Sequence, residues 1–147
     1  MNIKMIILFD TTELVEIDRG NPKVIDMCKR ISRANAKLLL SSVTISEIFT
    51  GAYLKRDPKA VLKVRRLLSQ FEWIAMDDKI AEKTGELMAD LISKGEGIEY
   101  QDIVIAATFL VSCGDYLITE NIDHFSRIPS IKSGVYTAKG FLDLNVC

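Results

Sequence analysis

The chain predicts a three-layer α/β fold, with a mainly parallel central sheet of about five strands flanked by helices. Three observations lead there. Short apolar runs such as MIILF at 5–9 and KLLLS at 37–41 lack polar alternation, as strands covered on both faces do. Between such runs lie segments with helical spacing of apolar residues, the alternation of a parallel sheet with crossover helices. Turn signals at Gly20-Asn21-Pro22, Asp57-Pro58 and Lys94-Gly95 separate the elements.

Met5 to Phe9 reads as a central strand, and Thr11 to Asp18 as the helix that follows it. A second helix spans Lys23 to Arg33, with Val24, Met27, Cys28 and Ile31 on its apolar face. Lys37 to Ser41 is the next strand. Thr44 opens a helix to about Leu54 with the capping-box pattern Thr44-x-x-Glu47, and Asp57-Pro58 breaks it. Another helix covers Lys59 to about Gln70, then a strand covers Phe71 to Met76. Asp77 starts a long helix to Ile92. Gln101 to Cys113 forms a helix so apolar that it must be buried. Asp115 to Thr119 and Ile131 to Tyr136 are the last strands. No linker, repeat or low-complexity tract interrupts the sequence, so residues 1–147 form one domain with one core.

Composition narrows the function classes. Hydrophobic residues make up 48% of the chain, enough for a well-filled core and an apolar surface to bury in an oligomer. A net charge of −1 gives no global field for nucleic acid, so any attraction must be local or carried by a metal. Cys28, Cys113 and Cys147 are scattered and odd in number, which argues against a disulfide framework and for a reducing, cytoplasmic setting. The apolar start MNIKMIILF is too short for a signal segment. No apolar run reaches the ~20 residues of a membrane span, so no membrane partner is expected.

Four separated segments deliver an acid or amide to the edge where open α/β sheets hold ligands: Asp10, Glu47, Asp102 and Asn121. Each also has a plain structural reading. Asp10 can cap a helix, Glu47 can complete the capping box, and Asp102 suits a helix N-terminus. Asn121 can serve a turn, with Asp123 as the alternative acid. Asp102 favours the functional reading, because its helix is otherwise apolar and places the carboxylate near the core. An oxygen-only set of this kind suits Mg²⁺ or Mn²⁺ and points to metal-assisted hydrolysis.

Competing chemistries lack their residues. His124 is the only histidine and no GxSxG elbow is present. Zinc-type Cys/His clusters, GxxxxGK[ST] and GxGxxG are absent. An aspartyl-phosphate phosphatase needs a second Asp two residues beyond Asp10, where Thr12 stands. Lys55, Arg56, Lys59, Lys63 and Arg66 cluster after Glu47, either as a solvated helix face or as contacts to a nucleic-acid backbone.

These residues resemble the PIN-domain family, and within it the small VapC-type toxin ribonucleases of toxin–antitoxin pairs. The matching stretches are FDTTELVEI at 9–17, TISEI at 44–48, GELMADL at 85–91, GIEYQDIVIAATFL at 97–110 and YLITENIDHFSRIPSI at 116–131. The DxxIAA helix, followed by a strand ending in TxN and a later Phe, is the specific part. The resemblance implies a PIN-like fold and a Mg²⁺- or Mn²⁺-dependent endoribonuclease that cuts single-stranded RNA. It assigns metal binding and catalysis to Asp10, Glu47 and Asp102, a supporting position to Asn121, and orientation of the site to the Thr119 hydroxyl. It also implies an antitoxin partner and a homodimer. Thr12 stands where Ser or Asn is commoner. Asn121 stands where relatives often carry Asp, which leaves three formal charges and weakens a second metal. A rival reading is a PIN-like RNA- or protein-binding module without turnover, which metal-dependent cleavage of RNA separates from the nuclease.

Overall fold

The structure is a computed structural model that describes residues 4–147. Its strands are β1 (Ile6–Phe9), β2 (Lys37–Ser41), β3 (Glu72–Ile74), β4 (Tyr116–Ile118) and β5 (Val135–Tyr136). Its helices are α1 (Thr11–Asp18), α2 (Pro22–Arg33), α3 (Ser42–Leu54), α4 (Pro58–Leu68), α5 (Asp78–Ser93), α6 (Tyr100–Val111), α7 (Ile122–Phe125) and α8 (Ala138–Leu144). The five strands form one sheet in the order β3-β2-β1-β4-β5, and every pairing is parallel.

Strand geometry sends successive side chains to opposite faces, and that alternation builds two cores. Ile7, Phe9, Leu40 and Ile118 face Leu14 of α1, Val24, Met27 and Ile31 of α2, Leu68 of α4 and Phe141 of α8. Leu8, Leu39 and Leu117 face Leu91 of α5, Ile103 and Phe109 of α6 and Phe125 of α7. The sheet is therefore the middle of three layers. Seven consecutive residues of α6, Ile103 to Phe109, are buried, because α5 covers the side that the sheet does not. Among the described residues, no helix is long and apolar enough to cross a membrane.

The connections explain where a site can form. From β1 the chain builds outward through β2 to β3, then returns to lay β4 on the other side of β1. The strand order reverses between β1 and β4, and a crevice opens at the carboxyl ends of those two strands.

Several expected boundaries shift for visible reasons. The strand expected over Phe71 to Met76 covers only Glu72–Ile74, an edge strand whose Trp73 is half exposed and donates Nε1–H to the Leu68 carbonyl at 2.9 Å. The strand expected from Ile131 shrinks to Val135–Tyr136 after a 3₁₀ turn at Lys132–Gly134. Ile131 is buried as a core anchor instead. α8 was not expected; Thr137 caps it by accepting from Gly140 N at 3.0 Å. α3 begins at Ser42 rather than Thr44, with Ser41 Oγ accepting from Val43 N at 3.4 Å. The expected capping box is therefore absent, and Glu47 falls in the second turn.

Candidate active site

Asp10 leaves β1 at the reversal point, its backbone N–H bonded to the Ile118 carbonyl of β4 at 3.0 Å. It occupies the N-cap position of α1, yet its side chain makes no cap bond. The carboxylate is buried at 2% exposure. Its Oδ2 accepts from Thr119 Oγ1 at 2.7 Å and from Thr12 Oγ1 at 3.0 Å. Of the two readings open for Asp10, the cap fails and a held carboxylate remains. Thr119 in turn accepts from the Asn121 N–H at 2.9 Å, and Thr12 accepts from the Glu120 N–H at 3.1 Å. The segment after β4 is thus fastened to the first turn of α1.

Asp102 lies in the first turn of the rigid α6, and its Oδ2 is 2.7 Å from His124 Nδ1 of α7. Burial holds its carboxyl above the ordinary range; the His124 hydrogen bond opposes that shift and Asp10 reinforces it. Glu47 reaches the same space from α3. Burial raises it too, Thr11 opposes, and repulsion from Asp10, Asp102 and Glu99 adds to the rise. Like charges drawn together in this way resist ionising.

These groups line one cavity of about 350 Å³ with Thr11, Thr12, Glu16, Arg19, Glu99, Glu120, Asn121 and His124. Among the described residues, no three His, Cys, Asp or Glu side chains converge tightly enough to enclose a metal ion as they stand. The donor chemistry nonetheless fits Mg²⁺ or Mn²⁺, which bind through one or two carboxylates and retain several waters. Burial raises both carboxyls and the charge of Asp10 reinforces the rise, a repulsion that a cation would relieve. Asp10 and Asp102, with Glu47 beside them in the cavity, are the groups that could hold it.

Asn121 lines the cavity, although its side chain caps nothing at the start of α7. Asp123 is exposed and does not line the cavity. None of the five basic residues lines it either. Lys55 and Lys63 border an adjoining groove of about 670 Å³ between α1, α3 and α4, where Lys63 pairs with Asp18 at 2.8 Å. Arg56, Lys59 and Arg66 point to solvent elsewhere.

Four residues near the site escaped the sequence reading: Arg19, Glu99, His124 and Glu13. The most telling is Glu13, fully buried, with no hydrogen-bond partner for either carboxyl oxygen. Burial pushes it up to about 9, with Glu120 beside it and then Asp10 and Glu16 reinforcing the rise. Its spacing from Leu14 and Ile17 was the available signal, since all three fall on the inward stripe of α1.

The PIN domain family model matches residues 7–131. The chain is 29% identical over 126 residues to the tRNA(fMet)-specific endonuclease VapC of Salmonella typhimurium, covering 85% of this chain and 93% of that one. It is 25% identical over 127 residues to Ribonuclease VapC2 of Haemophilus influenzae, covering 86% and 94%. The fold is similar to that of VapBC-1 from nontypeable Haemophilus influenzae, with a TM-score of 0.80 at 23% identity over 92% of this chain and 99% of that one. A toxin–antitoxin complex from Klebsiella pneumoniae gives 0.69 at 26% identity, covering 89% and 96%.

Proposed function

Because the chain belongs to the PIN-domain family, we propose that it is a Mg²⁺- or Mn²⁺-dependent endoribonuclease cutting single-stranded RNA, the toxin of a VapBC-type pair. The observation that carries this reading is the single cavity at the β1/β4 reversal, where Asp10, Glu47 and Asp102 arrive from three distant segments. A bound cation supplies charge at the phosphodiester and lowers the pKa of a water. Asp10 and Asp102 hold it, Asp10 being fixed by the Thr119 and Thr12 hydroxyls. Glu47, the most exposed of the three, takes the proton of the attacking water, and its raised proton affinity suits a general base. Arg19, which lines the cavity and pairs with Glu16 at 3.2 Å, would offer the rest of its guanidinium to a backbone phosphate. Lys55 and Lys63, on the adjoining groove, extend that contact along the strand, with Arg56, Lys59 and Arg66 in weaker supporting roles.

The partners follow from the same family. An antitoxin segment is expected to cover the groove beside the cavity, whose walls include Leu14, Ile48, Ala52, Val64 and Leu67. A homodimer is expected to bury exposed apolar side chains such as Tyr53, Leu54 and Leu62. The setting expected for both is the cytoplasm. Purified protein free of any partner should cut single-stranded RNA with Mg²⁺ or Mn²⁺ and stop with EDTA. Cleavage that survives complete chelation overturns the metal-dependent reading. Light scattering should return twice 16.5 kDa.

A further inference from the structure

The geometry points to His124 as a positioning residue for Asp102, fixing which carboxylate oxygen faces the cation. This inference rests on the proposed metal-dependent nuclease. With Asp102 ionised, as a cation ligand must be, its carboxylate only accepts; the 2.7 Å contact then requires the hydrogen on His124 Nδ1 and commits Asp102 Oδ2 to the imidazole. Asp102 Oδ1 is then left for the cavity that both residues line. The carboxylate's own torsion does not select that arrangement, because the terminal torsion of Asp is broad and nearly two-fold.

Both partners are mounted on well-held supports. The Asp102 side chain is 13% exposed and lies at the start of a helix buried all round. His124 is about one-third exposed, but the next residue, Phe125, is fully buried, and Ile128 anchors the turn beyond it. The contact spans 22 residues of sequence and joins the segment carrying Asn121 and Thr119 to the helix carrying Asp102. A residue of this kind acts through another group. Outer partners of metal ligands are typically worth about 10–100-fold in metal affinity.

Side-chain shape supplies the test. The amide nitrogen of Asn reaches the position of imidazole Nδ1, whereas that of Gln reaches the position of Nε2. Mn²⁺ affinity of the RNA-free protein, followed by the EPR signal of free Mn²⁺, should fall about 10–100-fold in His124→Ala and His124→Gln. His124→Asn should stay within about threefold of wild type, because it restores the donor that orients the carboxylate. Equal affinity in His124→Ala and wild type overturns the inference, as does an Asn variant as weak as the Ala variant. Should His124→Ala fail to fold, the Asn and Gln pair carries the same contrast. Independently of any variant, the ¹⁵N spectrum of the metal-free wild type must show a proton on Nδ1, and a bare Nδ1 overturns the inference. Failure of the nuclease reading looks different: wild type itself then binds no Mn²⁺ or cuts no RNA.

Discussion

Asp10 and Glu13 sit three residues apart on the same turn, both sealed from solvent, and the fold treats them in opposite ways. Asp10 receives two hydroxyl donors, from Thr119 and Thr12. Glu13 receives none, and it faces Glu120 with its proton retained up to about 9. Burial alone therefore does not decide what a carboxyl contributes; the donors around it do.

The sharpest way to break that comparison is to neutralise each member in turn. Asp10→Asn and Asp102→Asn should each lower RNA cleavage by more than about 100-fold, beyond the cost of losing an outer partner of a metal ligand. Glu13→Gln should leave cleavage within about threefold of wild type, because its carboxyl does not line the cavity. A fluorogenic single-stranded RNA assayed with Mg²⁺, with an EDTA blank, measures both. If Glu13→Gln abolishes cleavage while Asp10→Asn is tolerated, the assignment of the two acids is reversed.

Stability against pH separates them next. The unfolded Glu13 carboxyl loses its proton near its ordinary 4.5, whereas the folded one keeps it to about 9. Between those values folding must take up a proton, so wild-type stability falls as pH rises. Glu13→Gln is spared that loss. Its advantage over wild type should be absent below about pH 4.5 and then grow by at most about 1.4 kcal/mol per pH unit through that window. Denaturant unfolding at pH 5, 7 and 8.5 reads the slope, and parallel curves for the two proteins would show that Glu13 is ionised in the fold.

How much of this was legible beforehand divides along the same line. Asp10, Glu47 and Asp102 were readable because each follows or opens an apolar element whose direction fixes where its side chain arrives. The central strands were legible for the same reason: β2 covers Lys37–Ser41, as expected around its Leu38–Leu40 run. The edges were not, since β3 and β5 pair on one side only and their ends depend on neighbours. Glu47 misled through Thr44, because a capping box is a local pattern and the sheet-side Ser41 took the cap instead. His124 and Glu13 were hidden for a different reason. Their roles exist only through contacts with Asp102 and Glu120, distant in sequence, and no spacing rule reports such pairs.

Thr119 tests the donor half of the comparison. Its hydroxyl gives a hydrogen bond to Asp10 and takes one from the Asn121 N–H, and the residue is fully buried. Thr119→Val keeps the shape and removes both bonds, leaving a buried carboxylate oxygen with one donor fewer. The expected cost is about 1–3 kcal/mol of stability, with weaker Mn²⁺ binding because Asp10 is no longer held. A Val variant as stable as wild type would show that the Thr12 hydroxyl alone suffices.

Glu47 gives the smallest effect and the finest test, because it is the acid nearest to water. In EDTA it stands close to Asp10 and Asp102 with no cation between them, and burial and that repulsion raise its proton affinity. Glu47→Gln should then raise the melting temperature of the metal-free protein. The gain should stay below about 1 kcal/mol, because solvent screens a side chain this exposed. A folded carboxyl that holds its proton more tightly than the unfolded one loses stability as pH rises, so the gain should be present at pH 7 and vanish below about pH 4. Saturating Mg²⁺ should erase it, since the ion binds the folded wild-type site and relieves the repulsion there. A purely structural role, through its hydrogen bond with Thr11, predicts the opposite sign, a loss of about 1 kcal/mol on substitution. Melting curves at pH 7 with EDTA and with Mg²⁺ decide the matter: a Gln variant that melts lower than wild type in EDTA would mean Glu47 is held in place by the fold for the fold's own sake, leaving Asp10 and Asp102 to hold the cation alone.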